Sequence, residues 1–361
     1  VVFSFFTVIF VRLFNAEYVP LGKLDLKHSG KITAAGKYFS AVTVLIFLFS
    51  IHSAYVHYQN FAGELEYNKV VLQGMGVQEN NPADAKEKLE RSLNHLSKAD
   101  AWGIYSPLSL NRQLAAIYLY NKDYEHAEKY LVNMLSKKPD DTEARLRLAK
   151  IMYVSGREEK AIEELKTLIS SVPPDKTERD ARILSDALLM TGHIEEKIGF
   201  AASALSYYEE ALKNNESNSE AMLALGVLYM QSGRFEDAEK YLLECNELMP
   251  DMPMIHNNLS LIYIRLKNRP QAIYHLKELV RLQPQNAVAQ YNLGILLYRD
   301  GQKKDALRSL QSAVNIKPDY ANAHIGLSQV LNEMGEKTEA EFHRQKAAEI
   351  KSALAFSGGK K

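Results

Sequence analysis

The sequence predicts an all-α fold: a solenoid of stacked helical hairpins, seven clear copies and one degenerate, behind one or more N-terminal transmembrane helices. Three observations predict it. Alanines recur at a fixed interval through residues 108–354, glycines and prolines punctuate the intervals, and residues 38–58 contain no Asp, Glu, Lys or Arg. At 361 residues the chain is too long for one compact core, which fits a modular array.

The first element is the membrane region, residues 1–58. FSAVTVLIFLFSIHSAYVHY begins at Phe39, and its 20 residues reach about 30 Å as a helix, the thickness of a bilayer's hydrocarbon core. Tyr38, Tyr55 and Tyr58 suit the aromatic belt at a membrane surface. Val1 to Val11 is too short to cross alone, so residues 1–14 are expected to be part of a span that continues upstream. Between the two runs, residues 15–37 form a basic loop. Arg12, Lys23, Lys27, Lys31 and Lys37 outnumber Glu17 and Asp25, which places that side in the cytoplasm. The repeats are then expected on the periplasmic or exterior side of a bacterial inner membrane. His52 and His57 lie in or beside the span as titratable groups or as interface residues without a role.

The second element is the array. Ala127, Ala161, Ala204, Ala238, Ala272, Ala306 and Ala340 stand 34 residues apart, with one interval of 43. Twelve residues ahead of each is another small residue: Ala115, Ala149, Gly192, Gly226, Ser260, Gly294 or Ser328. Small residues let two antiparallel helices approach closely. Gly156, Gly233, Gly301 and Gly335 suit the left-handed turn between helices. Pro139, Pro173, Pro250, Pro284 and Pro318 end the second helices.

LALGVLY (223–229), NLGILLY (292–298) and FEDAEKYL (235–242) carry a resemblance to the tetratricopeptide repeat family. It covers 108–354 as seven repeats, with residues 176–184 inserted so as to lengthen one first helix. Residues 59–107 are a degenerate first copy and a linker bearing Trp102, read as a packing anchor. The last repeat has His343 and Arg344 in its second helix and reads as a solvent-facing cap, and residues 355–361 as a flexible tail.

The resemblance implies that first helices line a concave groove that binds a protein or peptide. Its pattern assigns Asn257, Asn258, Leu261, Arg265, Tyr291, Asn292, Ile295, Tyr298 and Arg299 to the groove. In the family, asparagines at such positions often hold the backbone of an extended peptide, since an amide both donates and accepts. Arg265 and Arg299 suit a carboxylate. Equally open is that the asparagines serve their own helices and both arginines are solvated.

Forty-four basic and 44 acidic residues give no reason to expect a nucleic-acid partner. No P-loop, GxSxG, HExxH or paired-cysteine motif occurs, so no catalytic residue, metal site or cofactor is expected. Cys245, the single cysteine, reads as core packing. Three functions remain open. One is a membrane-anchored scaffold that binds partners. Another is the C-terminal part of a membrane glycosyltransferase with its active site upstream; the basic loop, last span and repeats resemble O-antigen ligase or polymerase-like proteins, with repeat-bearing mannosyltransferases as a related option. The last is a structural subunit of an envelope or filament assembly, and an oligomer is left open.

Overall fold

The computed structural model describes residues 9, 16, 19–21, 24–76, 82–103 and 107–358. The expected partial span 1–14 lies outside them except for Ile9, as do residues 359–361 of the expected tail. The chain forms two compact units, 1–155 and 156–361.

The first unit opens with an element the all-α expectation lacked, a small antiparallel sheet in order β1 (Val19–Leu21), β2 (Leu24–His28), β3 (Lys31–Ile32). Ser29 and Gly30, both at positive φ (49° and 74°), make the two-residue turn between β2 and β3. Leu26 faces inward and packs with Ile9 and Phe39. Helix α1 (Ala34–Gly76) then starts hard against the sheet. Thr33 Oγ1 accepts from the Gly36 N–H at 3.0 Å. A Cβ at Gly36 would stand 1.9 Å from the Leu26 carbonyl oxygen, so only glycine allows this approach.

Helix α1 runs unbroken past the expected boundary at residue 58. No Gly–Pro or Asn–Gly breaker interrupts 58–73, and the helix gains a packing partner there. Its first part, Ala34–Val70, is long and apolar enough to cross a membrane, and Leu45, Leu48 and Phe49 lie exposed. Within that stretch, from about Gln59 onward, the helix packs on α2 (Pro82–Trp102). Ser92 Oγ donates to the Gly63 carbonyl at 2.7 Å, and Leu96 fills the space a side chain at 63 would need. The degenerate copy is thus a hairpin whose first helix is also the apolar rod. Helices α3 (Leu108–Tyr120), α4 (Tyr124–Lys137) and α5 (Thr142–Val154) complete the unit.

The second unit begins with α6 (Glu158–Ser171) and α7 (Glu178–Lys197). The nine inserted residues lengthen α7 to 20 residues, against 13 for α5. Hairpin partners follow in order: α8 (Ala201–Asn214), α9 (Ser219–Gln231), α10 (Phe235–Leu248), α11 (Pro253–Arg265), α12 (Arg269–Leu282), α13 (Ala287–Arg299), α14 (Lys303–Ile316), α15 (Ala321–Met334) and α16 (Lys337–Gly358). α16 continues into residues expected to be a flexible tail.

Three hairpins of this unit close on one rule. A small residue of the first helix faces a large one of the second, 16 positions on: Gly192 and Tyr208, Gly226 and Leu242, Gly294 and Leu310. Ala204, Ala238, Ala272 and Ala306 are wholly buried beside these contacts. Between helices the chain passes through a left-handed residue. Glycine fills it at 156, 199, 233, 301 and 335, but Lys122 and Lys267 take the same conformation with φ of 59° and 58°. The N–H just past this turn reaches back five residues, as Asn268 does to Tyr263 and Gln302 to Leu297. Asn218 and Asn286 then cap the next first helices, accepting from the Ala221 and Ala289 N–H groups.

Candidate functional site

The nine residues assigned from the sequence all lie on α11 and α13, and the structure sorts them by burial. On α11, Ile255, Leu259 and Ile262 are fully buried. The opposite stripe is open: Met254, Leu261 and Ile264 are 52%, 39% and 38% exposed, and Asn257 and Arg265 join them. Asn258 is only 7% exposed, since one helical step turns a side chain by about 100° and carries it from the open stripe into the packing.

On α13, Arg299 is exposed, while Tyr291, Asn292, Ile295 and Tyr298 are half-buried. Three of these already have neighbours at or on α15. The Tyr291 ring centroid lies 5.1 Å from that of Tyr320. Ile295 Cδ1 occupies space 3.0 Å from where a Cβ at Gly326 would stand. Tyr298 donates its hydroxyl to the Glu333 carboxylate, which raises the phenol's pKa and holds Glu333 below the usual carboxylate range.

The charges at this end are unequally partnered. Glu333 also receives Lys303 Nζ at 3.0 Å. Asp300 receives Arg269 at 3.6 Å and the Gln302 amide at 2.7 Å. Arg265 and Arg299, by contrast, make no ion pair with any described residue. Exposed apolar side chains thus lie on the same helices as two guanidinium groups that have no ion pair among the described residues.

The sequence reading missed Met254, Ile264 and the exposed Val288. The same helical spacing would have found them, at second and twelfth positions of their repeats. Other singled-out residues lie elsewhere. Cys245 is fully buried, and burial pushes its thiol up to about 11. Its Sγ lies 3.2 Å from the Ser219 carbonyl oxygen. His52 stands beside Trp102 with ring centroids 6.3 Å apart, although Trp102 itself is largely exposed. His52 and His57 both line a cavity in the first unit.

Models of the tetratricopeptide repeat match residues 118–181, 199–262 and 257–321. The chain belongs to the tetratricopeptide repeat family. Among curated relatives, it is 29% identical over 104 residues to the TPR repeat-containing protein MJ0263 of Methanocaldococcus jannaschii, covering 29% of this chain and 31% of that protein. It is 24% identical over 220 residues to the human Protein O-mannosyl-transferase TMTC1, covering 52% of this chain and 25% of that protein. The chain thus spans a third or less of the length of these relatives. Similar solved structures include MamA, at 25% identity over 45% of this chain and 96% of that one, with a TM-score of 0.43. Another is YrrB, described as a TPR protein with an unusual peptide-binding site, at 18% identity over 48% and 91%, with a TM-score of 0.44.

Proposed function

We propose that this tetratricopeptide repeat chain is a membrane-anchored scaffold that holds an extended segment of a partner protein against the open face of α11 and α13. The observation that carries the reading is the uncovered stripe Met254, Asn257, Leu261, Ile264 and Arg265 on an otherwise well-packed helix. Apolar side chains at this spacing supply contact area, and the exposed amide of Asn257 can pair with a peptide group. Arg265 and Arg299 favour a partner carrying carboxylates, which they meet without first breaking an ion pair.

Binding peptides selected from a random library test this directly. Leu261→Asp combined with Arg265→Ala should weaken each selected peptide at least tenfold, about 1.4 kcal/mol or more. Far-ultraviolet dichroism should stay unchanged, because both side chains are exposed. Peptides that bind the double variant as tightly as the wild type would remove the α11 face from the reading.

The anchoring part of the proposal rests on the apolar stretch of α1, and the orientation on the basic residues before it. A cysteine at Asn215, in a Cys245→Ser background, should react with a membrane-impermeant maleimide once the outer envelope is opened. Reaction only after the inner membrane is broken would reverse the orientation.

A second reading has one observation of its own, the 220-residue similarity to Protein O-mannosyl-transferase TMTC1. In it the chain is the repeat-bearing part of a membrane glycosyltransferase. The mass of the endogenous polypeptide separates the two, since this reading needs a large membrane domain on the same chain.

A further inference from the structure

Two histidine pairs, the first buried and the second with His324 buried and His343 half-buried, occupy the same place in two repeats. His256 of α11 and His275 of α12 bring their Nδ1 atoms to 3.0 Å. His324 of α15 and His343 of α16 bring theirs to 2.8 Å. Within each pair the histidines are 19 residues apart, and the pairs are 68 apart, two repeat lengths.

The hydrogen positions follow from what each atom faces. Nε2 of His256 lies 2.8 Å from the Pro250 carbonyl oxygen, and Nε2 of His324 lies 3.0 Å from that of Pro318. A carbonyl only accepts, so both Nε2 atoms carry hydrogen. In the neutral ring Nδ1 is then bare and accepts. His275 and His343 must therefore donate from Nδ1, which leaves their own Nε2 bare. Each pair is complete with two neutral rings of opposite tautomer. The next proton goes to Nε2 of His275 or His343 and creates an imidazolium inside the hairpin.

The surroundings disfavour that charge. Tyr263 of α11 stacks on His275 at 5.5 Å, and the Tyr274 ring meets it edge-on at 4.9 Å. Phe342 does the same for His343 at 5.2 Å. The groups acting on His275 are His256 across the hairpin, which opposes a proton, and Glu278 on its own helix, which favours one. Those acting on His343 are His324, opposing, and Glu339, favouring. Glu239 of α10 is bonded to the Tyr263 hydroxyl. Among the described residues, α13 and α14 add no charge to either pair.

We propose that the two pairs form an acid-sensitive latch, which loosens the hairpins α11–α12 and α15–α16 below neutral pH and leaves α13–α14 fastened. The intervening hairpin is a built-in control, because Gln290 and Ser309 hold the corresponding positions. Burial, then the facing His256, pushes His275 down to about 4, and burial holds His343 below its usual value. A histidine depressed on folding stabilises fully above its unfolded pKa of about 6.5 and loses that contribution as the pH falls toward the folded value. The window therefore runs from about 6.5 down to 4 for the first pair. α11 also displays the open stripe, so the same window would govern the helix that presents it.

Hydrogen exchange on the full chain between pH 7.5 and 4.5, corrected for intrinsic exchange, tests the latch. Protection in α11–α12 should fall about tenfold or more between pH 7 and 5, and protection in α15–α16 should fall in the same direction. Protection in α13–α14 should change less than about threefold over the same range. An equal fall in all three hairpins, or none in the two histidine hairpins, overturns the proposal. A second arm uses His275→Tyr with His343→Tyr, tyrosine being what the chain places there in α4 and α10 as Tyr130 and Tyr241. Its protection should become flat with pH, and a persisting dependence also overturns the latch. If the variant does not fold, the comparison among wild-type hairpins still decides.

Discussion

Tyr208→Ala is expected to lower stability by about 3–5 kcal/mol, the range for removing a large aromatic side chain from a packed interior. The ring is wholly buried and sits over Gly192, where an added Cβ would come within 2.4 Å of it. Its hydroxyl donates to Glu196 at 2.8 Å, and His193 meets its edge at 5.4 Å. Ala204 and Ala211, the wholly buried neighbours on α8, are too small to collapse into the space. Tyr208→Phe keeps the ring and loses only the hydrogen bond, at about 1 kcal/mol. Urea unfolding of the full chain followed by helical dichroism should separate the two by a clear shift in midpoint. Equal midpoints for the Ala and Phe variants would mean that the ring's packing contributes nothing beyond its hydroxyl.

Gly226→Val should cost about 2–3 kcal/mol, although valine is intrinsically the better helix former. A Cβ at 226 would stand 2.5 Å from Leu242 Cγ and 2.9 Å from its Cδ2. Leu242 is fully buried and has nowhere to swing, so α9 and α10 must move apart. Overlap therefore outweighs the few tenths of a kcal/mol gained in propensity. Adding Leu242→Ala should recover part of the loss, making the double variant more stable than the two single costs predict when added. Simple additivity would place the damage in the backbone of α9 instead.

Both predictions rest on the close helix crossings that the small residues of the repeat mark in the sequence. Glycine at 192, 226 and 294 could be read as a close crossing because nothing else explains a poor helix former at a fixed phase of a helical pattern. Other features were hidden for physical reasons. The sheet at 19–32 is built from strands of three, five and two residues, too short for alternation to rise above chance, although Ser29–Gly30 marks its turn. Helix α1 passes residue 58 because hydropathy reports where apolar character stops, whereas helix ends need a breaker.

At the candidate site the repeat phase chose the helices but not the rotation. Asn257 and Asn258 are neighbours in sequence, and only packing decides that the first is open and the second buried. Tyr298 looked available until Glu333, 35 residues on, proved to be its partner. The histidine pairs were legible in principle, as a 19-residue spacing repeated 68 residues later. They went unread because no single histidine announces that it will meet another.

The unbroken α1 has a mechanical consequence. Its 43 residues make a rod of about 65 Å with no proline and no turn between its exposed apolar part and the Gly63–Leu96 contact. A jointed tether would let the first hairpin swivel freely. This rod does not: tilt or twist imposed on one end arrives as torque at the other, so whatever grips the apolar part also sets the heading of the hairpin attached to it.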